Sequence, residues 1–197
     1  MKYEIYALGI LVAVISFLGF VVENIWLAMT KGYINNRNMN APFLLGYGLL
    51  IVVFYLILGT PNRMVLPLSL QKKLRKRGKY ILYFFCALLA VCICEIVLGG
   101  VVEKLCGIEY WNYQNIPLHI TKYTSIPTSM AFAAMITFFM GVCFEPLMGL
   151  ILQIDPQWMQ MISITLMAVM VIDFFVSFGI MIKRKDYYLK WKVLLRK

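Results

Sequence analysis

Hydrophobic residues along this chain gather into five long runs, near residues 5–29, 42–59, 80–106, 128–152 and 158–182, and within them they do not alternate with polar ones. Each run is close to the about 20 residues that carry a helix across a hydrocarbon core. Helices are the expected form, because lipid offers the backbone no hydrogen-bond partner and unalternating runs do not make barrel strands. The pattern predicts an all-α, polytopic transmembrane helical bundle of about five spans over residues 1–182, then a basic tail at 183–197. In that tail Tyr187, Trp191, Leu194 and Leu195 can share one side against Lys190, Lys192 and Arg196, which predicts an amphipathic interfacial helix.

Polar positions inside the runs are few and regularly spaced. In the third run Cys92, Glu95, Gly99, Glu103 and Cys106 follow steps of three, four, four and three along one side of a helix. The first run carries Ser16, Gly19, Glu23 and Thr30; the second opens at Pro42 and holds Gly46, Tyr47 and Gly48; the fifth places Asp173 and Ser177 one turn apart. The fourth steps through Ser129, Ala133, Thr137, Gly141, Glu145 and Gly149, and Pro146 predicts a kink or break there.

An acidic side chain at a helix centre costs about 2.5 to 3.5 kcal/mol on insertion scales. No Lys or Arg lies in the central part of any run. The acids are therefore protonated and bonded to a neighbouring helix, or face a wet cavity, or receive Arg37 or Lys122 from a loop, or meet a cation. With five alternating spans, loops 31–40 and 107–124 and the tail share one side of the membrane. Glu23, Tyr47, Glu95, Glu103 and Asp173 then fall in one half of the bilayer, and Glu145 lies towards the other face. The expected arrangement is a cavity lined by Glu23, Tyr47 and Glu95 with Arg37 or Trp111 at its mouth.

Composition supports a membrane protein, with 62% hydrophobic and 14% charged residues. The net charge of +10 is concentrated in Arg63–Lys79 and Lys183–Lys197. Basic residues flanking spans set topology and touch anionic lipid, so membrane lipid rather than nucleic acid is the expected partner. Three spans separate the two basic stretches, which therefore conflict over orientation; the aromatic anchors of the tail favour an outside amino terminus and an inside tail. The first run is too long for a signal-peptide core and carries Glu23, so it reads as a retained span of a multi-pass cell-membrane protein. Five cysteines without a C-x-x-C pair read as buried, inert thiols.

Catalytic patterns are missing. The chain has no G-x-x-x-x-G-K-[ST], H-E-x-x-H or G-x-S-x-G, and one histidine, His119. The expectation is a non-enzyme without cofactor, metal or catalytic residue. As a transport component for a small polar or cationic solute, it would leave any ATP hydrolysis to a separate nucleotide-binding subunit, and its size suggests further copies or partners. The alternative is a membrane sensor, regulator or assembly factor.

Several short motifs in order resemble a known family. Gly19-Phe20-Val21-Val22-Glu23-Asn24-Ile25-Trp26, Asn36-Arg37, Ala41-Pro42 and Tyr47-Gly48 form a first block. Cys94-Glu95, Val102-Glu103-Lys104-Leu105, Trp111-Asn112-Tyr113-Gln114 and Pro117-Leu118-His119 form a second. Together they resemble the CmpB-like family described as Putative ABC-transporter type IV. The resemblance implies a small helical membrane protein connected with transport. It marks Glu23, Arg37, Tyr47, Glu95, Glu103, Trp111 and Tyr113 as matched positions and candidate ligand-binding residues. Where the family has Asp, Ser and Asn, this chain has Asn112, Gln114 and His119, and Ala41 replaces the Gly before Pro42.

Overall fold

The computed structural model describes residues 4–65 and 74–195. It is all-α, with helices α1 (Glu4–Lys31), α2 (Leu45–Leu58), α3 (Lys76–Cys106), α4 (Ile126–Ile151) and α5 (Pro156–Arg184). Four of these, all but α2, are long and apolar enough to cross a membrane. The second run yields a helix of 14 residues, about 21 Å at 1.5 Å per residue against a core of about 30 Å. Its length is set at both ends. Before it, the Leu44 amide donates to the Ser16 carbonyl at 3.0 Å. After it, Gly59 takes φ 70° and starts a short ladder of β2 (Gly59–Thr60) with β3 (Arg63–Met64).

The remaining helix ends follow capping chemistry. The Ser125 side chain accepts from the Thr128 amide at the start of α4, and Asp155 accepts from the Gln157 and Trp158 amides at the start of α5, with a proline in the first helical turn of each, Pro127 and Pro156. The expected irregularity at Pro146 takes the form of a π turn, Phe139–Cys143, inside α4. Pro146 has no amide to donate back into the helix. The Gly141 carbonyl instead accepts from Asn62 Nδ2 at 2.9 Å and the Tyr80 hydroxyl at 3.0 Å.

The chain divides into two compact units, residues 1–53 with 147–197, and residues 54–146. In the first, α1 packs along α5, and Val12, Ala13, Leu45 and Met170 form a buried cluster edged by Phe43, Leu166 and Phe174. In the second, α3 packs along α4, with Tyr55 stacked on Phe144 at 4.6 Å, and strand β4 (His119–Thr121) pairs antiparallel with β5 (Thr124–Ser125). Ile81, Phe85, Leu89, Ile93, Val97 and Val101 leave one exposed apolar stripe on α3. Glu95, Gly99 and Glu103 sit two positions away, about 200° round the helix, so the carboxylates take the face opposite that stripe.

The tail differs from expectation. Helix α5 ends at Arg184, where Lys185 adopts φ 54°, and residues 192–194 form strand β6 (Lys192–Leu194) instead of an interfacial helix. It pairs antiparallel with β1 (Tyr33–Asn35), the register matching Tyr33 to Leu194 and Asn35 to Lys192. The Asn36 side chain donates to the Tyr188 carbonyl at 3.0 Å and accepts from the Lys190 amide at 3.1 Å. Backbone partners supplied by a distant loop thus outcompete the helical spacing of Tyr187, Trp191 and Leu194. Arg196 and Lys197 lie outside the described residues, as do Lys72 and Lys73.

Candidate functional site

The predicted site residues divide between the two units: Glu23, Arg37 and Tyr47 in the first, Glu95, Glu103, Trp111 and Tyr113 in the second. In the first unit Gly19 leaves a gap one turn before Glu23, and the ring of Tyr47 fills it; a Cβ added at Gly19 would stand 2.6 Å from Tyr47 Cγ. The Tyr47 hydroxyl donates to Glu23 Oε1 at 2.6 Å and Arg37 Nη2 holds Oε2 at 2.8 Å. Both oxygens of Glu23 are therefore engaged. Arg37 and Asn38 reach this position through left-handed backbone, φ 48° and 61°. The turn is braced by Asn35, whose side chain accepts from the Arg37 amide and whose amide donates to Asn24 Oδ1.

A second carboxylate in this unit has no described cation beside it. Asp173 is 7% exposed and accepts four hydrogen bonds: from the Asn40 amide (2.9 Å), Asn40 Nδ2 (2.7 Å), the Ala41 amide (2.9 Å) and the Ser177 hydroxyl (3.0 Å). Donors of this kind take the place of water around a buried carboxylate. Beside them a hollow of about 240 Å³ is bounded by Asn36, Asn40, Pro42, Phe20 and Trp191 among others.

In the second unit the face of α3 is graded. Near its end Glu103 is bound by Lys122 Nζ at 2.7 Å and by the Tyr123 hydroxyl, while the Tyr123 ring lies on Gly99. Lys122 also reaches Glu109 at 3.0 Å. These bonds push the Lys122 ammonium above the usual lysine range, and the Asn112 amide with Lys122 holds the Glu109 carboxyl below its usual one. The Tyr123 phenol is raised by the Glu103 carboxylate it binds. Trp111 Nε1 donates to the Tyr123 carbonyl at 2.8 Å and the Tyr113 amide to that of Lys122 at 2.8 Å. Trp111 and Tyr113 thus shape the loop that carries the cation.

Two turns earlier, Glu95 Oε2 accepts from the Thr124 hydroxyl at 2.5 Å and the Ser129 hydroxyl at 2.9 Å. Both hydroxyl residues are fully buried, and they are 2.9 Å from each other. No described Lys or Arg pairs with Glu95. Glu145, by contrast, accepts from Thr60 at 2.9 Å and stands 3.8 Å from Arg63, which is 85% exposed.

The family model described as Putative ABC-transporter type IV matches residues 10–178. The chain belongs to this family. The family's description and four helices long and apolar enough to cross a membrane make this a membrane protein of a transport-related family. No curated protein and no solved structure matches the chain. Against the type IV ABC-transporter pattern, Asn112 has a local reason: it donates to Glu109 Oε2 at 2.7 Å and accepts from the Gln114 amide at 2.8 Å. An Asp there would keep the second bond and set a carboxylate against Glu109. His119 rests on the Ile116 carbonyl at 3.2 Å at the exposed start of a short strand, His119–Thr121.

The type IV ABC-transporter motifs did not single out Tyr123, Thr124, Ser129, Asn40 or Asp173. Tyr123 is one of several aromatic residues in the segment 107–124 and has no spacing that marks it. Thr124, Ser129 and Asn40 are short polar residues with no periodic signature, and Asp173 showed only its one-turn spacing from Ser177.

Proposed function

We propose that the protein is a non-catalytic membrane subunit that binds or moves a small polar or cationic solute at Glu95, in the cell membrane and with any ATP hydrolysis supplied by a separate subunit. The observation that supports this is the state of Glu95: a carboxylate in a 31-residue apolar helix, held by two rotatable hydroxyls and by no described cation. Hydroxyls can turn to serve a passing cation or polar solute, whereas an ion pair is already spent. Glu23 and Glu103 have their oxygens occupied and act as supports.

The test is ligand-dependent stabilisation of the protein in nanodiscs, screened against ammonium, guanidinium, choline, alkali cations and zwitterionic amino acids. A ligand at about 100 times its Kd stabilises by about 2.7 kcal/mol, a clear rise in melting temperature. The expected result is such a rise in the native protein and its loss in Glu95→Gln. An unchanged response in Glu95→Gln would sink the assignment.

The tail favours a second reading, a membrane sensor or assembly factor. Its ribbon exposes Trp191, Val193 and Leu194 beside Lys190 and Lys192, a mixture suited to lipid headgroups or a partner protein. Co-purification of a nucleotide-binding subunit would support the first reading, and of a signalling or envelope-assembly protein the second.

A further inference from the structure

Eighty residues apart (103 − 23), the chain repeats itself. Leu18-Gly19-Phe20-Val21-Val22-Glu23 returns as Leu98-Gly99-Gly100-Val101-Val102-Glu103, identical at five of six positions. Further up the same register Ala7 and Ala87 match and are both fully buried.

The side-chain geometry repeats as well. In each unit a tyrosine ring lies on the glycine, and a Cβ added at Gly19 or Gly99 would stand 2.6 Å from Cγ of Tyr47 or Tyr123. In each, the tyrosine hydroxyl donates to the glutamate and a loop cation completes the set, Arg37 at 2.8 Å or Lys122 at 2.7 Å. The chain order is glycine, glutamate, cation, tyrosine both times, and each helix ends in a glycine at φ 70°, Gly32 or Gly107.

Spacing alone does not produce this. Gly141 and Glu145 are also four residues apart and Tyr80 lies on Gly141, yet the Tyr80 hydroxyl bonds the Gly141 carbonyl and Arg63 stays 3.8 Å from Glu145. The second common element is what the fastened segment presents. Two residues after Lys122, Thr124 donates to Glu95; three residues after Arg37, Asn40 donates to Asp173. In both units the segment clamped to the glutamate delivers the donor for a carboxylate that has no described cation.

We infer that the protein carries one latch twice, and that Glu23–Tyr47–Arg37 and Glu103–Tyr123–Lys122 are positioning groups that set the donors of Asp173 and Glu95. The inference needs no solute, so it stands or falls separately from the transport reading.

Hydrogen–deuterium exchange of the protein in nanodiscs tests it, with Tyr47→Phe and Tyr123→Phe as the main variants because each keeps its ring on the glycine and so keeps the packing. Tyr47→Phe and Arg37→Ala should speed exchange about tenfold, equivalent to about 1.4 kcal/mol, at residues 33–41 only. Tyr123→Phe and Lys122→Ala should do the same at 109–125 only. Carbodiimide labelling should rise several-fold at Asp173 in the first pair and at Glu95 in the second, and Arg37→Lys or Lys122→Arg should restore most of the protection. Exchange changed less than twofold by both phenylalanine variants, or loosening in one unit alone, or loosening without any change in carboxylate labelling, overturns the inference.

Discussion

Both units hold a carboxylate with no described cation, and they hold it differently. Asp173 is fixed mainly by main-chain and amide donors, the Asn40 and Ala41 amides and Asn40 Nδ2. Glu95 is fixed by two side-chain hydroxyls that also lie within hydrogen-bond distance of each other. Amides in a loop cannot turn away, so losing Asp173 would strand them; hydroxyls can turn, so losing Glu95 leaves Thr124 and Ser129 a partner. The same group in the same kind of helix is therefore held by fixed donors in one unit and by donors free to turn in the other.

The strongest break in that comparison is Asp173→Ala against Glu95→Ala. The first should destabilise by about 2 kcal/mol, since a fully buried stranded donor costs about 1 to 3 kcal/mol and the Asn40 and Ala41 amides are only partly shielded from water, and the second by about 1 kcal/mol. Denaturant titration in mixed micelles reads the difference; equal losses would erase the distinction.

The two glycines give the next largest effect. Gly19→Ala and Gly99→Ala each push a Cβ into a tyrosine ring, and overpacking of that order costs about 1 to 3 kcal/mol. Thermal unfolding should show both variants below the native protein by similar amounts, while Gly149→Ala, with open space at its Cβ, serves as the unaffected control.

The cations should separate the latches more finely. Arg37 is 16% exposed and bonds Glu23 through Nη2, and a lysine cannot reproduce a guanidinium fork. Arg37→Lys should cost about 0.5 kcal/mol, and Lys122→Arg, at a wetter pair, a smaller loss still. Reversal of that order would show that burial of the pair does not set its sensitivity to the cation.

The smallest effect is that of pH on loop 107–124. Glu109 titrates below its usual range, so its contribution is present above the unfolded glutamate pKa of about 4.3 and fades as pH falls through the lower folded value. Lys122 titrates above its usual range, so its contribution is complete below the unfolded lysine pKa of about 10.4 and fades as pH rises through the higher folded value. Loop protection, corrected for intrinsic exchange, should stay level from about pH 6 to 9 and drop at the acid extreme. A step near neutrality would show that other groups control this loop.

Much of the fold was legible in the runs, because an unbroken apolar stretch has few alternatives to a helix in lipid. Four of the five expected spans correspond to long helices, and the second was cut short by Pro42–Leu44 and Gly59, whose turn geometry the hydrophobic count ignores. Of the site, the need for a loop cation was readable from uncompensated acids, and Arg37 and Lys122 are the cations that arrive. Tyr123 hid among the loop aromatics because its role depends on a space left by Gly99, 24 residues earlier (123 − 99). The strand in the tail escapes local reading for a similar reason: its partners, Asn35 and Asn36, lie about 150 residues away, and local periodicity carries no trace of them.

The pairing of β6 with β1 also orders events in time. Asn36 meets Tyr188 across 152 residues, and contacts of such separation form late, after the loop entropy between them has been overcome. The segment 33–40 is therefore left without its last restraint throughout synthesis of all the spanning helices, and closes only once residues 188–194 have emerged. Closure of loop 33–40 on strand β6 is thus a step that follows the making of the helices between them.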